Sequence, residues 1–382
     1  MTIANGMANA PTSVATVFGA MKAAARTTVA GIVAALAILA MALTLGCSRN
    51  AEIATPDPND AAGKTTAEAA EHSEQDAPAE EEPAAVETEG ATAPFDLAPA
   101  SLQAIGTFDT LGTFSLSGGA EPELSAAQRD AIEAAVAAVE AQGGVGFVMV
   151  DAQTGNGIAY HADTPVYGAS SFKALYGLYL CQTLLETGAA TLDTWVYAQA
   201  SDANSGYGWG GSYTLGELIN AAIVYSDNGA YGSLRLAYDG YNGADYDAWA
   251  SALGAGDALY DPMSWYPTYS ARTSTILWAE LRDYLAGGTQ GAAALRDALA
   301  QTETSFLRDA CAAEGLDAAT YTKAGWIADG APYNSICDAG IIEADGHAYI
   351  VSVMSSMPDS EANRALFGEL AAALLSSRET LA

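Results

Sequence analysis

The strongest constraint on the fold is a change of composition near residue 100. From Ala51 to Ala100 the chain carries thirteen Asp or Glu, one lysine (Lys64) and one aromatic residue (Phe95). Such a segment cannot bury enough apolar surface to offset its chain entropy, so it is predicted to be disordered and extended by self-repulsion. A sizeable core must therefore come from about Leu124 to Ala382.

The residues before the acidic segment predict export. Two basic residues precede an uncharged run from Thr27 to Gly46, which is about long enough to span a hydrocarbon core of ~30 Å as a helix. Leu45-Gly46-Cys47 resembles a bacterial lipoprotein cleavage box with Cys47 lipidated, although Thr44 stands where an aliphatic residue is preferred. We expect a lipoprotein, an uncleaved anchor or an ordinary signal peptide, in that order.

Three parts follow from these changes. Residues 1–47 are predicted to be a signal or membrane-anchor segment, 48–120 a disordered linker and 121–382 the folded domain, exported and tethered to the outer face of a bacterial cytoplasmic membrane. The formal net charge of −32 argues against nucleic acid as a partner, because phosphate contacts need a basic face. No C-x-x-C motif occurs and His161 and His347 are isolated, so neither a metal nor a cofactor is implied.

The cysteines of the folded part lead to two expectations. Cys311 and Cys337 could pair in an exported domain, but their spacing does not show that they do. Cys181 lies on an apolar helical stretch, where a small buried hydrophobic residue is expected.

Hydrophobic periodicity places strands at both ends of the folded part and helices between them. Helices are predicted at Ser125–Ala141, Phe172–Leu185, Leu215–Val224, Thr273–Leu285, Ala292–Leu299 and Glu361–Leu375. Strands are predicted at Val145–Val150, Gly157–Tyr160, Tyr321–Trp326 and Gly340–Met354, the last with a turn at Gly346. This order predicts an α+β fold, an α/β sandwich whose N- and C-terminal segments share one antiparallel sheet packed on helices, with a helical subdomain.

Lysine is used sparingly in the folded part. Beyond residue 100 there are eight arginines but only two lysines, Lys173 and Lys323. Arginine stays charged, whereas a desolvated lysine can lose its proton and act as a base. Lys173 follows Ser170 by three residues at a predicted helix start, and residues three apart are neighbours on one helix face. This spacing indicates a serine hydrolase with a lysine base; the alternative is a surface helix that Ser170 merely caps.

Two more motifs follow in order along the chain. Ser226-Asp227-Asn228 ends a helical pattern, and Lys323-Ala324-Gly325 lies on a late predicted strand. With Ser170-Ser171-Phe172-Lys173 they resemble the S-x-x-K, S-D-N and K-T-G motifs of class A β-lactamases and their penicillin-binding relatives, over roughly Leu124 to Ala382. The resemblance implies a serine acyl-enzyme hydrolase of β-lactams or related D-alanyl peptide amides.

The resemblance also implies a role for each catalytic residue. Ser170 would be the acylated nucleophile, and Lys173 its base or a relay to the base. Ser226 would pass a proton to the departing nitrogen. Lys323 would supply positive charge near Ser226 and near the substrate carboxylate.

Further residues would bind the substrate. Asn228 would bind the substrate amide and hold Lys173, and Gly325 and Trp326 would line the binding site. The backbone N–H groups of Ser170 and Trp326 would form the oxyanion hole. Asp227 is expected to brace the loop rather than to touch substrate.

The chain departs from this family in the loop after S-D-N. Class A enzymes carry a glutamate there that activates the deacylating water, but Gly229 to Arg272 contains none. Asp257 and Asp261 lie in about the right stretch, yet an aspartate is one methylene shorter and general-base catalysis depends on distance. Acylation is therefore expected, and deacylation is expected to be slow.

Other departures concern the two late strands. Ala324 replaces the threonine of K-T-G, and Trp326 is bulky for a position beside an oxyanion hole. Ile336 to Gly340 lacks the arginine that many relatives use for the substrate carboxylate and has an acid, Asp338, instead.

Alternative functions remain open at this point. One is a cell-wall D,D-carboxypeptidase or transpeptidase that acts on a peptidoglycan stem peptide and is trapped by penicillins. Another is a non-catalytic wall-binding or sensor module with the same fold. A Ser-His-Asp triad would have to use His161 or His347, and neither lies in a suggestive motif. Aromatic residues between 207 and 269 could form a stacking surface, but ordinary packing is the preferred interpretation.

Overall fold

A computed structural model describes residues 95–382, apart from positions 201, 203–204, 209, 240–242 and 260–263. The predicted export segment, Cys47 and the linker up to residue 94 lie outside the described residues. Within the part that is described, no helix is both long and apolar enough to cross a membrane.

The described strands form one large sheet and two short pairs. They are β1 (Gly112–Ser115), β2 (Val145–Asp151), β3 (Asn156–Tyr160), β4 (Val166–Tyr167), β5 (Trp195–Tyr197), β6 (Ser212–Thr214), β7 (Thr268–Tyr269), β8 (Ala319–Ile327), β9 (Ser335–Ala344) and β10 (His347–Ser355). The large sheet is antiparallel, with the order β1-β3-β2-β10-β9-β8, while β4 pairs with β7 and β5 with β6. Strands from the two ends of the domain therefore meet at the β2–β10 pair.

The helices lie mostly between these two groups of strands. They are α1 (Ala126–Glu140), α2 (Phe172–Leu180), α3 (Leu215–Val224), α4 (Asn228–Tyr238), α5 (Ala244–Ala252), α6 (Ala271–Ala286), α7 (Gln290–Ala300), α8 (Phe306–Ala313) and α9 (Glu361–Leu375). Their starts have chemical causes: Ser125 and Gln128 form a reciprocal capping box at α1, and Thr214 and Glu217 form one at α3. All six predicted helices are confirmed, α2 continuing as a π-helical turn through Leu185.

The sheet is buried on both faces, which makes the domain a sandwich. Successive strand residues point to opposite faces. Met149 accordingly packs with Phe367 of α9 in one apolar cluster, while Val148 packs with Leu277 of α6 in the other. The predicted α+β sandwich, with its antiparallel sheet built from both ends of the domain, is confirmed.

The folded part begins earlier than the predicted boundary at residue 121. Residues 95–120 were assigned to the linker, yet Leu97 and Leu102 are buried and β1 pairs with β3 along its whole length. The sequence does not indicate this earlier start of the folded part, because two leucines and a four-residue strand give no periodic pattern. Only contact with the sheet supplies the apolar surface that keeps them ordered.

The three cysteines that the structure describes, Cys181, Cys311 and Cys337, are free and buried. Cys337 belongs to the apolar cluster on one face of the sheet and Cys311 to the cluster on the other face, so the considered Cys311–Cys337 pair does not form. Cys181 is fully buried, as predicted.

Candidate active site

The site forms where the edge strand β8 runs beside the start of α2. A Cβ atom on Gly325 would lie only 2.7 Å from the backbone nitrogen of Ser170, so this approach requires glycine. Ser170 lies in the short 3₁₀ turn Ala169–Ser171 that leads into α2. Because every residue of α2 is buried, the alternative of a surface helix capped by Ser170 is wrong.

The three sequence motifs meet at one cavity of about 280 Å³. Its lining includes five of the residues named from the sequence: Ser170, Ser226, Asn228, Lys323 and Trp326. Lys173 lies beneath it, 1% exposed, with its amine directed to Ser226 and Asn228. The tertiary structure therefore brings together groups that are more than 150 positions apart in sequence.

The surroundings of the Lys173 amine favour its neutral form. Burial, and then the charge of nearby Lys323, lower the pKa of Lys173 well below its usual value. Its Nζ atom donates to the Ser226 carbonyl oxygen at 2.6 Å and to Asn228 Oδ1 at 2.7 Å. In its neutral form the amine can donate to these two oxygens and keep its lone pair to accept a proton.

Lys323 is held differently. Its Nζ atom donates to Ser226 Oγ at 3.1 Å and to the Ala324 carbonyl oxygen at 2.8 Å. Burial lowers the pKa of Lys323 to about 8, and the Asp338 carboxylate opposes that shift. Lys323 is therefore mostly protonated at neutral pH.

Ser226 stands between the two lysines. Its hydroxyl is 3.1 Å from the Lys323 amine and 3.5 Å from the Lys173 amine. Its backbone is in the left-handed region, at φ 56°, which is costly for a residue with a side chain and is common at functional sites. This conformation turns the chain sharply between α3 and α4.

The neighbouring Asp227 braces the loop, as predicted. Its carboxylate caps α4 by accepting from the Ala230 N–H at 2.8 Å, and it also accepts from the Ser205 hydroxyl at 2.6 Å. Asn228 is oriented in turn by donating from Nδ2 to Asp202 at 3.3 Å.

The direction of side chains along β8 shows where Ala324, in the K-T-G position, and the following Trp326 lie relative to the cavity. Alternation along β8 directs Lys323 toward the cavity and the side chains of Ala324 and Trp326 toward the opposite face. The Trp326 ring packs there, with the Arg364 guanidinium 4.9 Å above it. Its bulk therefore does not crowd the space beside Ser170.

Asp338 does not take the place of a substrate-binding arginine. It is buried, and its Oδ2 atom accepts from the Ser305 hydroxyl and the Leu307 N–H, each at 3.0 Å, at the start of α8. Burial raises the pKa of Asp338 to about 6. Its role in the fold is to hold the N-terminus of α8 near the site.

Asp257 and Asp261 are the two possible substitutes for the loop glutamate that this chain lacks. Asp257 braces the start of α6, where Ser270 is the N-cap: it accepts from the Ser270 N–H and hydroxyl at 3.2 and 2.9 Å and from the Thr273 hydroxyl. It is committed to the helix start. Asp261 lies outside the described residues.

The histidines are engaged elsewhere in the fold. His161 contacts the Asp109 carbonyl oxygen at 3.1 Å, and His347 pairs with the buried Asp151 at 2.6 Å. Neither forms the hydrogen bond to Ser170 that a Ser-His-Asp triad requires.

Several residues at the site were not singled out from the sequence. Tyr225, Glu303 and Thr304 also line the cavity. The Tyr266 hydroxyl donates to Asn228 Oδ1 at 3.0 Å, and hydrogen bonding with Ser170 acts on its pKa. Sequence reasoning grouped Tyr266 with the packing aromatics, and no local pattern distinguishes it from them.

The preferred packing interpretation fits the aromatic residues that are buried. Tyr246 and Tyr269 both pack against Phe172, at ring distances of 5.1 and 6.1 Å. Trp265, in contrast, is 52% exposed. Trp209 and Tyr241 lie outside the described residues.

Comparison with known proteins agrees with this fold. The profile of the beta-lactamase enzyme family matches residues 128–377, and the chain belongs to that family. No curated protein matches the chain.

Solved structures share its fold. A β-lactamase from Chitinophaga pinensis DSM 2588 superposes with a TM-score of 0.57 at 18% identity, covering 66% of this chain and 99% of its own. PBP-A gives 0.56 at 19% identity, with 68% and 99% covered. An ancestral class A β-lactamase gives 0.55 at 23% identity, with 65% and 99% covered.

Proposed function

We propose that this protein is an exported serine acyl-enzyme hydrolase that acts on β-lactams or related D-alanyl peptide amides through acylation of Ser170. The observation that carries the proposal is the pair of buried lysines on either side of Ser226, with their amines 3.5 Å and 3.1 Å from its hydroxyl. Residues 1–47 would export the chain, and Cys47 or an uncleaved anchor would tether it to the outer face of the cytoplasmic membrane.

The geometry supports a complete acylation step. The Lys173 lone pair takes the proton of Ser170, whose Oγ atom attacks the amide carbon. The N–H groups of Ser170 and Trp326 hold the oxyanion, since β8 lies against the α2 start. The C–N bond then breaks, and the proton passes through Ser226 to the departing nitrogen.

Substrate binding uses the same cavity. Asn228 faces it with an amide, and Gly325 and Trp326 border it along β8. Lys323 supplies the positive charge for an anionic substrate group. A space of about 280 Å³ suits a small bicyclic lactam or the end of a peptide.

A second candidate is a cell-wall D,D-carboxypeptidase or transpeptidase that acts on peptidoglycan stem peptides and is trapped by penicillins. It is favoured because the loop residues that are described present Tyr266, not a carboxylate, to Ser170 and Asn228. A non-catalytic wall-binding module is disfavoured, since burying two lysine amines is costly without a chemical use.

An intact-mass time course on the full chain with benzylpenicillin tests the proposal. Wild type should gain the mass of one penicilloyl group, and Ser170→Ala should gain none. Ser171→Ala is the matched control, because this neighbouring hydroxyl bonds Gly168 and Tyr269 instead of facing the cavity. The absence of an adduct in wild type would refute acylation by penicillins, and an adduct in Ser170→Ala would refute the nucleophile.

A further inference from the structure

A second charged side chain faces the cavity besides Lys323. Of the described residues that line the cavity, Glu303 is the one carboxylate, and it lies in the short loop between α7 and α8. Its side chain is exposed, and a solvent-exposed glutamate is negatively charged at neutral pH. The described part of the wall therefore presents one cation and one anion to a ligand.

The loop that carries Glu303 is held against the site. The Glu303 N–H donates to the carbonyl oxygen of Val224, the last residue of α3, at 3.0 Å. Two residues after Glu303, the Ser305 hydroxyl accepts from the hydroxyl of Thr322 on β8 at 2.7 Å. Because α3 leads into the loop before α4 and β8 carries Lys323, the Glu303 backbone has a fixed place beside both.

The Glu303 carboxylate is available to a ligand. Among the residues that the structure describes, none donates a hydrogen bond to it or forms an ion pair with it. The neighbouring Arg308 guanidinium contacts other groups of the loop: it donates to the Thr302 hydroxyl at 3.3 Å and to the Glu303 carbonyl oxygen at 3.4 Å. Arg308 thus holds the loop and leaves the carboxylate unpaired.

Glu303 lies on the side of the cavity where the leaving group departs. In the proposed acylation, Ser226 passes a proton to the departing nitrogen, and Lys323 Nζ lies 3.1 Å from its hydroxyl. Val224, to which Glu303 is bonded, is two residues before Ser226 and also lines the cavity. A substrate group bound by Glu303 therefore belongs to the departing amine, not to the acyl group that stays on Ser170.

We propose that Glu303 is a specificity-determining residue that selects a leaving amine with a cationic group. Lys323 binds the carboxylate of this amine, and Glu303 binds an ammonium group on the same fragment, since complementary charges fix the orientation of a ligand. An amine that carries a carboxylate and a second ammonium group is a diamino acid. The inference rests on the proposed acylation of Ser170 and deepens it: the preferred peptide is a D-alanyl amide whose leaving residue is a diamino acid.

Two cephalosporins test the charge on the leaving side. Cephaloridine and cephalothin have the same acyl side chain and the same ring carboxylate. On the neighbouring ring carbon, cephaloridine carries a pyridinium-methyl group and cephalothin a neutral acetoxymethyl group. The rate of adduct formation on the full chain is measured for each lactam by intact mass, and the ratio of the two rates cancels any general change in the reactivity of Ser170.

Three variants are compared with wild type. Glu303→Gln removes the charge and keeps the shape, and Glu303→Lys reverses the charge. Glu314→Gln is the matched control, because Glu314 is an exposed glutamate at the far end of α8. We expect Glu303→Gln to lower the cephaloridine-to-cephalothin ratio about 5-fold and Glu303→Lys to lower it further, as for a partly exposed ion pair. Glu314→Gln should leave the ratio unchanged.

Ionic strength separates Glu303 from the overall charge of the protein. Raising the salt concentration from about 0.05 to about 0.5 M should lower the ratio more in wild type than in Glu303→Gln, because salt screens the proposed ion pair. An equal fall in both proteins would assign the preference to the overall negative charge and would overturn the inference.

The diamino acid is tested with two peptides as competitors of cephalothin. N-acetyl-D-alanyl-D-lysine should slow adduct formation on wild type more than N-acetyl-D-alanyl-D-norleucine, which lacks only the ammonium group, and Glu303→Gln should remove the difference. Equal competition by the two peptides in wild type would contradict recognition of the ammonium group.

The proposed function and this inference fail in different ways. If wild type, Glu303→Gln and Glu303→Lys all form adducts, melt alike and give the same ratio, the assignment of Glu303 is wrong and acylation of Ser170 stands. A wild type that forms no adduct with either cephalosporin would instead overturn the proposed function, and this inference with it.

Discussion

The helix side and the strand side of the cavity each contribute one buried lysine, and the two amines lie in different surroundings. Lys173, on α2, donates to two oxygens of the loop between α3 and α4, and burial beside Lys323 lowers its pKa strongly. Lys323, on β8, has the anion of Asp338 nearby, and its pKa falls only to about 8. The same residue type thus provides a base on one side and a cation on the other.

The two lysines show that the surroundings of a side chain, and not its residue type alone, set the pKa of its amine. Desolvation lowers the pKa of both amines, since burial penalises the charged form. The nearby charges also differ: Lys323 lowers the pKa of Lys173 further, while Asp227 and Asp202 raise it, and the only charge of a described residue that acts on Lys323 is Asp338, which raises its pKa. Each lysine also contributes to the state of the other, because the charge on Lys323 helps to keep Lys173 neutral.

Exchange of each lysine for arginine should separate the roles most strongly. Arginine keeps the cation but cannot become a neutral base. Lys173→Arg should slow acylation by ~10²–10⁴-fold, as expected when a general base is lost, while Lys323→Arg should cost roughly 10-fold or less. The measurement is the rate of penicilloyl adduct formation, with thermal melting to confirm folding.

Neutral replacements complete this test. Lys323→Met should be clearly worse than Lys323→Arg, because only the charge is needed on the strand side. Lys173→Met and Lys173→Arg should be equally impaired. Rescue of acylation by arginine at position 173 would contradict the assignment of Lys173 as the base.

The anion behind Lys323 should carry a cost in stability. The pKa of Asp338 is raised from 3.8 in the unfolded chain to about 6 in the fold. A raised folded pKa gives stability that is present below the unfolded pKa and is lost as pH rises through the folded one. A shift of about two units corresponds to roughly 3 kcal/mol in the free energy of unfolding between pH 3.5 and 7.

Asp338→Asn should remove that loss, so the difference between variant and wild type in urea unfolding should grow as pH rises through about 6. Asp309→Asn is the control, because Asp309 is exposed and lies on α8, the helix whose start Asp338 holds. A difference that does not vary with pH would show that Asp338 is ionised without penalty.

The smallest effect expected is on the pH profile. Acylation needs Lys173 neutral and Lys323 charged, so its rate should fall on the acid side as Lys173 protonates and on the alkaline side above about pH 8 as Lys323 loses its proton. Lys323→Arg should abolish the alkaline fall and leave the acid one. A fall above pH 8 that survives in Lys323→Arg would have to belong to another group.

Hydrophobic periodicity, caps and turns in the sequence predicted those helices and strands whose formation depends mainly on residues close in sequence. The helix Glu361–Leu375 and the strand pair around Gly346 were predicted because their periodicity is strong and their caps and turns are conventional. α4 was missed, since Gly229 and Gly232 weaken its pattern and its start depends on the Asp227 cap. β1 was missed because four residues carry too little signal.

The sequence by itself singled out two scarce lysines and two serines as candidates for the chemistry, because motif spacing and the special acid–base behaviour of lysine are local properties. Only the tertiary structure decided which charges surround each lysine, that Trp326 packs on the far face of β8, and that Tyr266 donates to Asn228. The physical reason is that desolvation, neighbouring charge and side-chain direction depend on which distant segments pack together, and burial of both faces of the sheet sets that arrangement.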